Sequence, residues 1–349
     1  MTPSPSLAID GRLIGPEYRP YVIAELSGNH NGDLHRALDL IDAAKEAGAD
    51  AVKFQTYTPD TITLDCDKPD FCIKGGLWDG YTLHKLYQWA QTPWEWHSAL
   101  FERAAKLGIP AFSSPFDPTA IEFLESFNPP AYKVASFEMA DTPFVREIAA
   151  KKRPIIMSTG MATEDEIACA IQATRPNPLL LLHCISGYPT PHAQSNLRRI
   201  PALARQHQVP VGLSDHTLGT ATAIAAVALG ACAIEKHLTF RRSDGGPDAD
   251  FSLEPEELRQ LVADAKIAWE SLGSGSPMRQ ACETSNRTFR RSLYAVADIA
   301  QGELFTRNNV RSIRPGYGLS PEQITAVLGR RAAHAIERGT PMSLDLLAP

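Results

Sequence analysis

Eight short runs rich in β-forming residues recur along this chain, and every one of them ends in polar side chains. They span residues 21–26, 49–54, 110–113, 131–135, 154–158, 179–182, 210–213 and 231–235. Amphipathic stretches such as 34–47, 93–107, 163–174 and 220–229 lie between them, and another, 254–272, follows the last run. Strands alternating with helical patterns of this length signal a parallel sheet. Eight such units in about 250 residues is the arithmetic of a TIM (β/α)8 barrel. A doubly wound open sheet can be written from the same alternation, so the polar ends decide. In order they are Glu25 with Asn29, Lys53 with Gln55, Ser113 with Ser114, Lys133 with Ser136, Ser158 with Thr159, His183 with Ser186, Ser214 to His216, and Glu235 to His237. A closed barrel gathers all eight carboxyl ends in one ring, whereas an open sheet gathers only those beside its switch point. The expected fold is therefore α/β, a TIM barrel over residues 1–272.

Residues 273–287, opening with GSGSP, read as a linker, and 288–349 as a small C-terminal domain that begins with the strand pattern RRSLYAV at 290–296. A domain of that size is marginal alone and is expected to pack against a barrel. Residues 56–90, with Trp78, Tyr81 and Trp89, are too many for an ordinary connection and are expected to carry extra structure over the pocket mouth.

Composition removes several classes of function. With 34 basic and 40 acidic residues the net charge is −6, opposite to the basic footprint of a nucleic-acid binder. The N-terminus has no basic region followed by an apolar run, so no signal peptide is expected. The longest nearly apolar run, 221–234, is short of the roughly 20 residues that span a bilayer. Cysteines at 66, 72, 169, 184, 232 and 282 form no C-x-x-C, which suits reduced thiols and a cytoplasmic location. There is no P-loop, no G-x-G-x-x-G after a strand, no H-E-x-x-H and no G-x-S-x-G, so nucleotide hydrolysis, Rossmann redox and triad hydrolysis lose their usual support.

What remains is the ring of strand ends. His216 and His237 sit on consecutive ends, where barrel closure makes them neighbours able to reach one metal ion; the plainer reading is two rim histidines with local hydrogen bonds. Glu25, beside them across the closure, is a candidate proton acceptor or an ordinary salt-bridge partner. Lys53 and Lys133, with Ser114, Ser136, Ser158, Ser186 and Ser214, offer two cations and five hydroxyls to a ligand bearing phosphate and carboxylate. A Schiff-base lysine competes with that reading, and some of the serines also serve as helix caps. The turn at 242–250 carries Asp244, Asp248 and Asp250 toward the pocket mouth, as contacts for a polyol or as a solvated acidic loop. A tight turn at 313–318 leaves Arg314 projecting, as a functional or a plain surface arginine.

With the ring in view, the chain resembles the sialic acid synthase family from about residue 7 to 347. The carriers are AELSGNHNG (24–32), KFQ (53–55), FSSPF (112–116), AYKVAS (131–136), MSTGM (157–161), GLSDHT (212–217) and EKH (235–237). Within that family its pattern is similar to the pseudaminic acid synthases, through QTYT (55–58), TPWEWH (92–97), SFE (136–138) and RPGYGL (314–319). Phe137 stands where relatives using other sugars tend to have glycine, and Tyr317 where they have another residue.

The resemblance implies a metal-dependent condensation of phosphoenolpyruvate with 2,4-diacetamido-2,4,6-trideoxy-altrose, giving a nonulosonic acid and phosphate. N-acetylneuraminate or legionaminate synthesis keeps the chemistry with another sugar, and a Schiff-base pyruvate aldolase is a more distant alternative. Lys53, Ser114 and Lys133 match contacts to the carboxylate end of phosphoenolpyruvate, and Ser136, Ser158, Ser186 and Ser214 match its phosphate contacts. Gln55, Tyr188, Asp248 and Arg314 match sugar contacts, and Glu25 matches a residue beside the metal's water. His216 and His237 match ligands of a divalent metal, Mn2+ with Mg2+ or Co2+ as alternatives. The tail resembles an antifreeze-like (SAF) domain, which implies a domain-swapped homodimer in which Arg314 enters the partner's site.

Overall fold

The computed structural model describes residues 5–349; the first four residues of the stretch read for a leader lie outside it. The chain divides into two compact units, residues 1–273 and 274–349.

The first unit is a closed parallel barrel. Its strands are β3 (Tyr21–Glu25), β4 (Ala51–Thr56), β5 (Ala111–Pro115), β6 (Tyr132–Val134), β7 (Ile155–Ser158), β8 (Leu179–Cys184), β9 (Val211–Asp215) and β10 (Ala233–His237). Strands β10 and β3 close the ring in parallel register, with His237 opposite Glu25, and Glu25 in turn faces Lys53 of β4. Helices α1 (Leu34–Glu46), α4 (His97–Leu107), α5 (Pro118–Glu125), α6 (Thr142–Ala149), α7 (Glu164–Thr174), α8 (Arg199–His207), α9 (Ala221–Ala228) and α10 (Pro255–Leu272) follow the strands, while α2 (Pro59–Ile62) and α3 (Leu83–Ala90) lie in the long 56–90 connection. Local chemistry sets where helices begin. Asp33, Asp117 and Asp141 accept backbone N–H groups at the starts of α1, α5 and α6, and Thr163 with Glu166 forms a reciprocal cap on α7.

The strands run further than the hydrophobic runs do. β4 continues through Thr56, β8 through Cys184, β9 through Asp215 and β10 through His237. Polar residues end a strand pattern when the sheet face beyond is solvent. Here the upper interior of the barrel is itself polar, so the strands carry their functional groups within regular structure.

Among the described residues of the first unit, two strands are additional to the eight. β1 (Leu7–Ile9) and β2 (Arg12–Ile14) form an antiparallel hairpin, turned by Asp10 at φ 47° and Gly11 at φ 76°, the positive-φ pair that such a two-residue turn requires. Leu7, Ile9 and Ile14 are buried in one cluster with Tyr21, Ile23, Phe112, Ile156, Leu180 and Leu182, the inward residues of the lower barrel. The hairpin thus closes the amino-terminal end of the barrel with apolar side chains. A second apolar cluster, between strands and helices, includes Leu40, Ile41, Leu100, Val145, Leu181, Leu258 and Leu261.

The second unit contains the antiparallel pair β11 (Ser292–Ala295) and β12 (Val310–Ile313) and a short helix, α11 (Ile324–Val327). Its core is Leu293, Ile299, Phe305, Val310, Val327, Ile336, Met342 and Leu346 among others. No helix of the described residues is long and apolar enough to cross a membrane.

Candidate active site

A strand turns alternate side chains to opposite faces, and the site is built from that period. On β10, Glu235 and His237 face inward, while Lys236 faces out to an ion pair with Asp215 at 2.8 Å. On β9, Ser214 is inward and accompanies His216 just past the strand end. Lys53 and Gln55 repeat the pattern on β4. The result is a cavity of about 540 Å3 lined at its floor by Lys53, Lys133, Ser158, Ser214 and Glu235, with His216 and His237 on one wall.

The floor is a buried ionic cluster. Lys53 Nζ lies 2.7 Å from Glu25 Oε2 and 3.4 Å from Glu235 Oε1, and Lys133 Nζ lies 4.0 Å from the same Glu235 oxygen. Ser214 donates to Glu235 Oε1 at 3.0 Å. Lys53 reaches Ser114 Oγ at 3.5 Å, and Glu25 Oε1 accepts from the Ser27 N–H and from Gln55 Nε2, each at 3.1 Å. Burial raises the Glu25 carboxyl, opposed by Lys53. Burial also pushes Glu235 up, but Lys133 and Lys53 overcome it and hold the carboxylate below its usual range. Lys133 has the weaker pairing, and burial brings it down to about 8.

Beside the lysines lies a cradle of hydroxyls. A Cβ added at Gly160 would stand 2.3 Å from Ser186 Oγ and 2.7 Å from Ser136 Oγ, and the Gly160 N–H donates to Ser136 Oγ at 3.1 Å. Ser158 Oγ is buried there without a hydrogen-bond partner. Hydroxyls and an amide converging next to two cations make a binding place for an oxyanion.

The histidine wall is aromatic. The rings of His216 and His237 are 5.4 Å apart, and Phe251 packs edge-on against both at 5.9 and 4.9 Å. Tyr188 lies 4.5 Å from His216 and 5.5 Å from Trp78, whose indole N–H donates to Pro247 O at 2.8 Å. His216 Nδ1 is 3.1 Å from Ile185 O, which assigns the proton to that nitrogen and leaves Nε2 as a donor atom. Burial, with the neighbouring cations, keeps His237 neutral, well below the usual imidazole range. Burial draws His216 down, but its contact with Cys184 and the Ile185 carbonyl outweighs that and raises it above the usual imidazole range. Two imidazoles on one pocket wall suit a divalent metal. Among the described residues no group of three or more His, Cys, Asp or Glu converges as a metal cluster, so the remaining positions would fall to water or substrate.

Of the residues marked in the sequence, Lys53, Gln55, Lys133, Ser136, Ser158, Tyr188, Ser214, His216, His237 and Asp248 line the cavity. Glu25, Ser114 and Ser186 stand directly behind that lining through the contacts above. Arg314 belongs to the second unit, exposed on a turn that Ser292 holds by donating to Pro315 O at 2.7 Å. The acidic loop is corrected in two places. Asp244 pairs with Arg36 of α1 at 2.9 Å and Asp250 is exposed, so only Asp248 serves the pocket. Glu235 stood in the ring of strand ends without a role, although its place two residues before His237 puts it on the same face. Ser27, Gly160 and Glu138 were missed. Glu138 lines the cavity with one buried oxygen unpartnered, and burial raises its carboxyl to about 7.

Residues 40–277 match the model of the NeuB family. The chain belongs to the NeuB family. Residues 290–348 of this NeuB-family chain match a SAF domain. It is 50% identical over 322 residues to the pseudaminic acid synthase of Campylobacter jejuni subsp. jejuni serotype O:23/36 (strain 81-176), covering 91% of this chain and 94% of the relative. It is 42% identical over 330 residues to the pseudaminic acid synthase of Helicobacter pylori (strain ATCC 700392 / 26695), covering 93% and 97%. Among solved structures, the N-acetylneuraminic acid (sialic acid) synthetase from Leptospira borgpetersenii serovar Hardjo-bovis, in complex with citrate, superposes with a TM-score of 0.73 and is 32% identical. That match covers 81% of this chain and 95% of the other.

Proposed function

We propose that this chain is a pseudaminic acid synthase, condensing phosphoenolpyruvate with 2,4-diacetamido-2,4,6-trideoxy-altrose. The observation that carries this reading is the division of one cavity into a floor of two lysines and several hydroxyls and a wall holding two imidazoles. The similarity to pseudaminic acid synthases over nine tenths of the chain supports the sugar. So does the outer lining, where Ile62, Ile73, Leu83 and Leu86 face the cavity and suit a 6-deoxy methyl and two acetamido methyls better than hydroxyls.

Lys53, Lys133 and Ser114 hold the carboxylate end of phosphoenolpyruvate, and Ser136, oriented by the Gly160 N–H, holds its phosphate with Ser158, Ser186 and Ser214. Glu235, fixed between the lysines, keeps both ammonium groups aimed at the substrate. C3 of phosphoenolpyruvate then attacks the aldehyde carbon of the open-chain sugar, which Gln55, Tyr188 and Asp248 orient. The attack turns the aldehyde oxygen into an alkoxide and leaves an oxocarbenium at C2; water adds there, its first proton passing by way of Glu25 to the alkoxide, and the tetrahedral intermediate collapses by C–O cleavage, its C2 hydroxyl proton leaving with phosphate. The lysines, both buried, offset negative charge as it shifts. His216 and His237 would hold a divalent metal, Mn2+ with Mg2+ or Co2+ as alternatives, whose chemistry when bound is Lewis-acid polarisation of a carbonyl oxygen. We further propose a domain-swapped homodimer in which Arg314 completes the sugar end of the partner's site. The cytoplasm is the proposed location, in keeping with six free thiols.

The test is phosphate release from phosphoenolpyruvate with Mn2+, with the trideoxy-altrose and N-acetylmannosamine offered in parallel. Preference for the altrose is expected, together with a raised sugar KM and an unchanged phosphoenolpyruvate KM in Arg314→Ala. Preference for N-acetylmannosamine would overturn the sugar, and no release with either would overturn the reaction.

A further inference from the structure

Ser27 takes no part in the chemistry above, yet it is held in a backbone conformation that serine avoids. Its φ is 42°, in the left-handed region, and it is 2% exposed. Glycine would occupy this position at no steric cost. A buried non-glycine residue there persists where its surroundings over-determine it, and the surroundings of Ser27 are three groups of the site. Its N–H donates to Glu25 Oε1 at 3.1 Å. Its hydroxyl lies 3.2 Å from His237 Nδ1, and that nitrogen is 3.6 Å from Asp248 Oδ2. The Ser27 hydroxyl also hydrogen-bonds the Asp248 carboxyl. The same turn anchors the Asp248 backbone: Asn29 Nδ2 donates to Ser252 Oγ at 2.8 Å, and Ser252 donates to Asp248 O at 2.6 Å.

A hydroxyl gives one hydrogen bond and accepts others, a carboxylate only accepts, and a neutral imidazole has one nitrogen of each kind. One arrangement satisfies all three groups: His237 Nδ1–H donates to Ser27 Oγ, and the Ser27 hydroxyl donates to Asp248. It leaves the lone pair of His237 on Nε2. The outer partner of a ligating imidazole sets its tautomer and orientation in this way.

We propose that Ser27 is a positioning residue whose single hydroxyl fixes both the His237 tautomer and the Asp248 carboxylate, coupling metal affinity to sugar recognition while leaving phosphoenolpyruvate binding alone. The proposal rests on the reading of His237 as a metal ligand and Asp248 as a sugar contact.

Two variants separate this role from a structural one. Ser27→Gly removes the hydroxyl and relieves the backbone; Ser27→Ala removes the hydroxyl and keeps the Cβ. Mn2+ affinity is measured by calorimetry on metal-free protein, alongside the thermal midpoint and the KM for each substrate. The glycine variant is expected to melt no lower than the parent, to bind Mn2+ about tenfold more weakly, and to show a raised sugar KM with the phosphoenolpyruvate KM unchanged. The alanine variant shares the binding losses and melts below the glycine variant. A glycine variant that keeps the parental Mn2+ affinity and sugar KM overturns the proposal, as does an equal rise in both KM values. If the parent turns over neither sugar, the functional reading fails, and the Mn2+ titration still decides whether Ser27 supports a metal ligand.

Discussion

The lower and upper halves of the barrel interior are made by the same strands a few residues apart, yet they follow opposite rules. Below, Tyr21, Ile23, Phe112, Ile156, Leu180 and Leu182 pack with the hairpin residues Leu7, Ile9 and Ile14, and their burial is net favourable at about 25 cal/mol per Å2. Above, Glu25, Lys53, Lys133 and Glu235 are equally buried, and taking such charges out of water costs more than their pairing returns. The step from Ile23 to Glu25, two residues along one strand, crosses from the half that holds the barrel together to the half that acts. The difference teaches that stability and chemistry occupy separate layers of one core and are open to separate attack.

The largest expected effect is on the upper layer. Lys133→Met keeps the volume and removes the charge, so kcat/KM for phosphoenolpyruvate is expected to fall about a thousandfold, while the urea midpoint stays or rises because burial already disfavours the Lys133 charge in the folded protein. A midpoint that collapsed with the activity would erase the distinction between layers. In the lower layer the expectation reverses: Phe112→Ala leaves a cavity and lowers unfolding free energy by about 3–5 kcal/mol, with KM values of the folded enzyme little changed. Denaturant titration beside kinetics at low temperature reads both, and a raised phosphoenolpyruvate KM at unchanged stability would defeat it.

The smallest effect sharpens the comparison with a single proton. Lys133 titrates near 8 in the folded protein against 10.5 as its ordinary value. Between those values the unfolded chain holds the proton that the folded chain has lost, so this group makes stability rise with pH across the window. The proposed role of Lys133 in binding phosphoenolpyruvate needs the charged form, so kcat/KM should decline above about pH 8 over the same range. Activity falling while stability rises is the expected pair of profiles, and kcat/KM flat to pH 9.5 would remove Lys133 from anion binding.

Much of this division was legible in the sequence, for reasons that can be named. Lys53, Lys133, His216 and His237 stood out because apolar runs ending in such residues have few explanations other than a polar ring. Glu235 was equally visible by the two-residue period and was passed over because it read as the end of a strand rather than the middle of a site. The hairpin around Asp10-Gly11 was not read from the sequence, because its flanking runs are only three residues each and carry little period. Other features were out of reach. Asp244 left the pocket because Arg36, far away in sequence, claims it. Ser27 and Gly160 matter through a backbone angle and a close approach that exist only once distant loops have met.

The seam of the barrel has a consequence for how the protein comes into being. Pairing β10 with β3 brings His237 opposite Glu25 across most of the first unit's length, and contacts of such sequence separation form late because loop closure must precede them. Glu25 and Lys53 emerge from the ribosome early and Glu235 and His237 late, so the ionic floor and the imidazole pair have no partial form before the ring shuts. A nascent or truncated chain ending before β10 would keep both lysines yet lack the carboxylate between them, and turnover is therefore a direct report that the circle has closed.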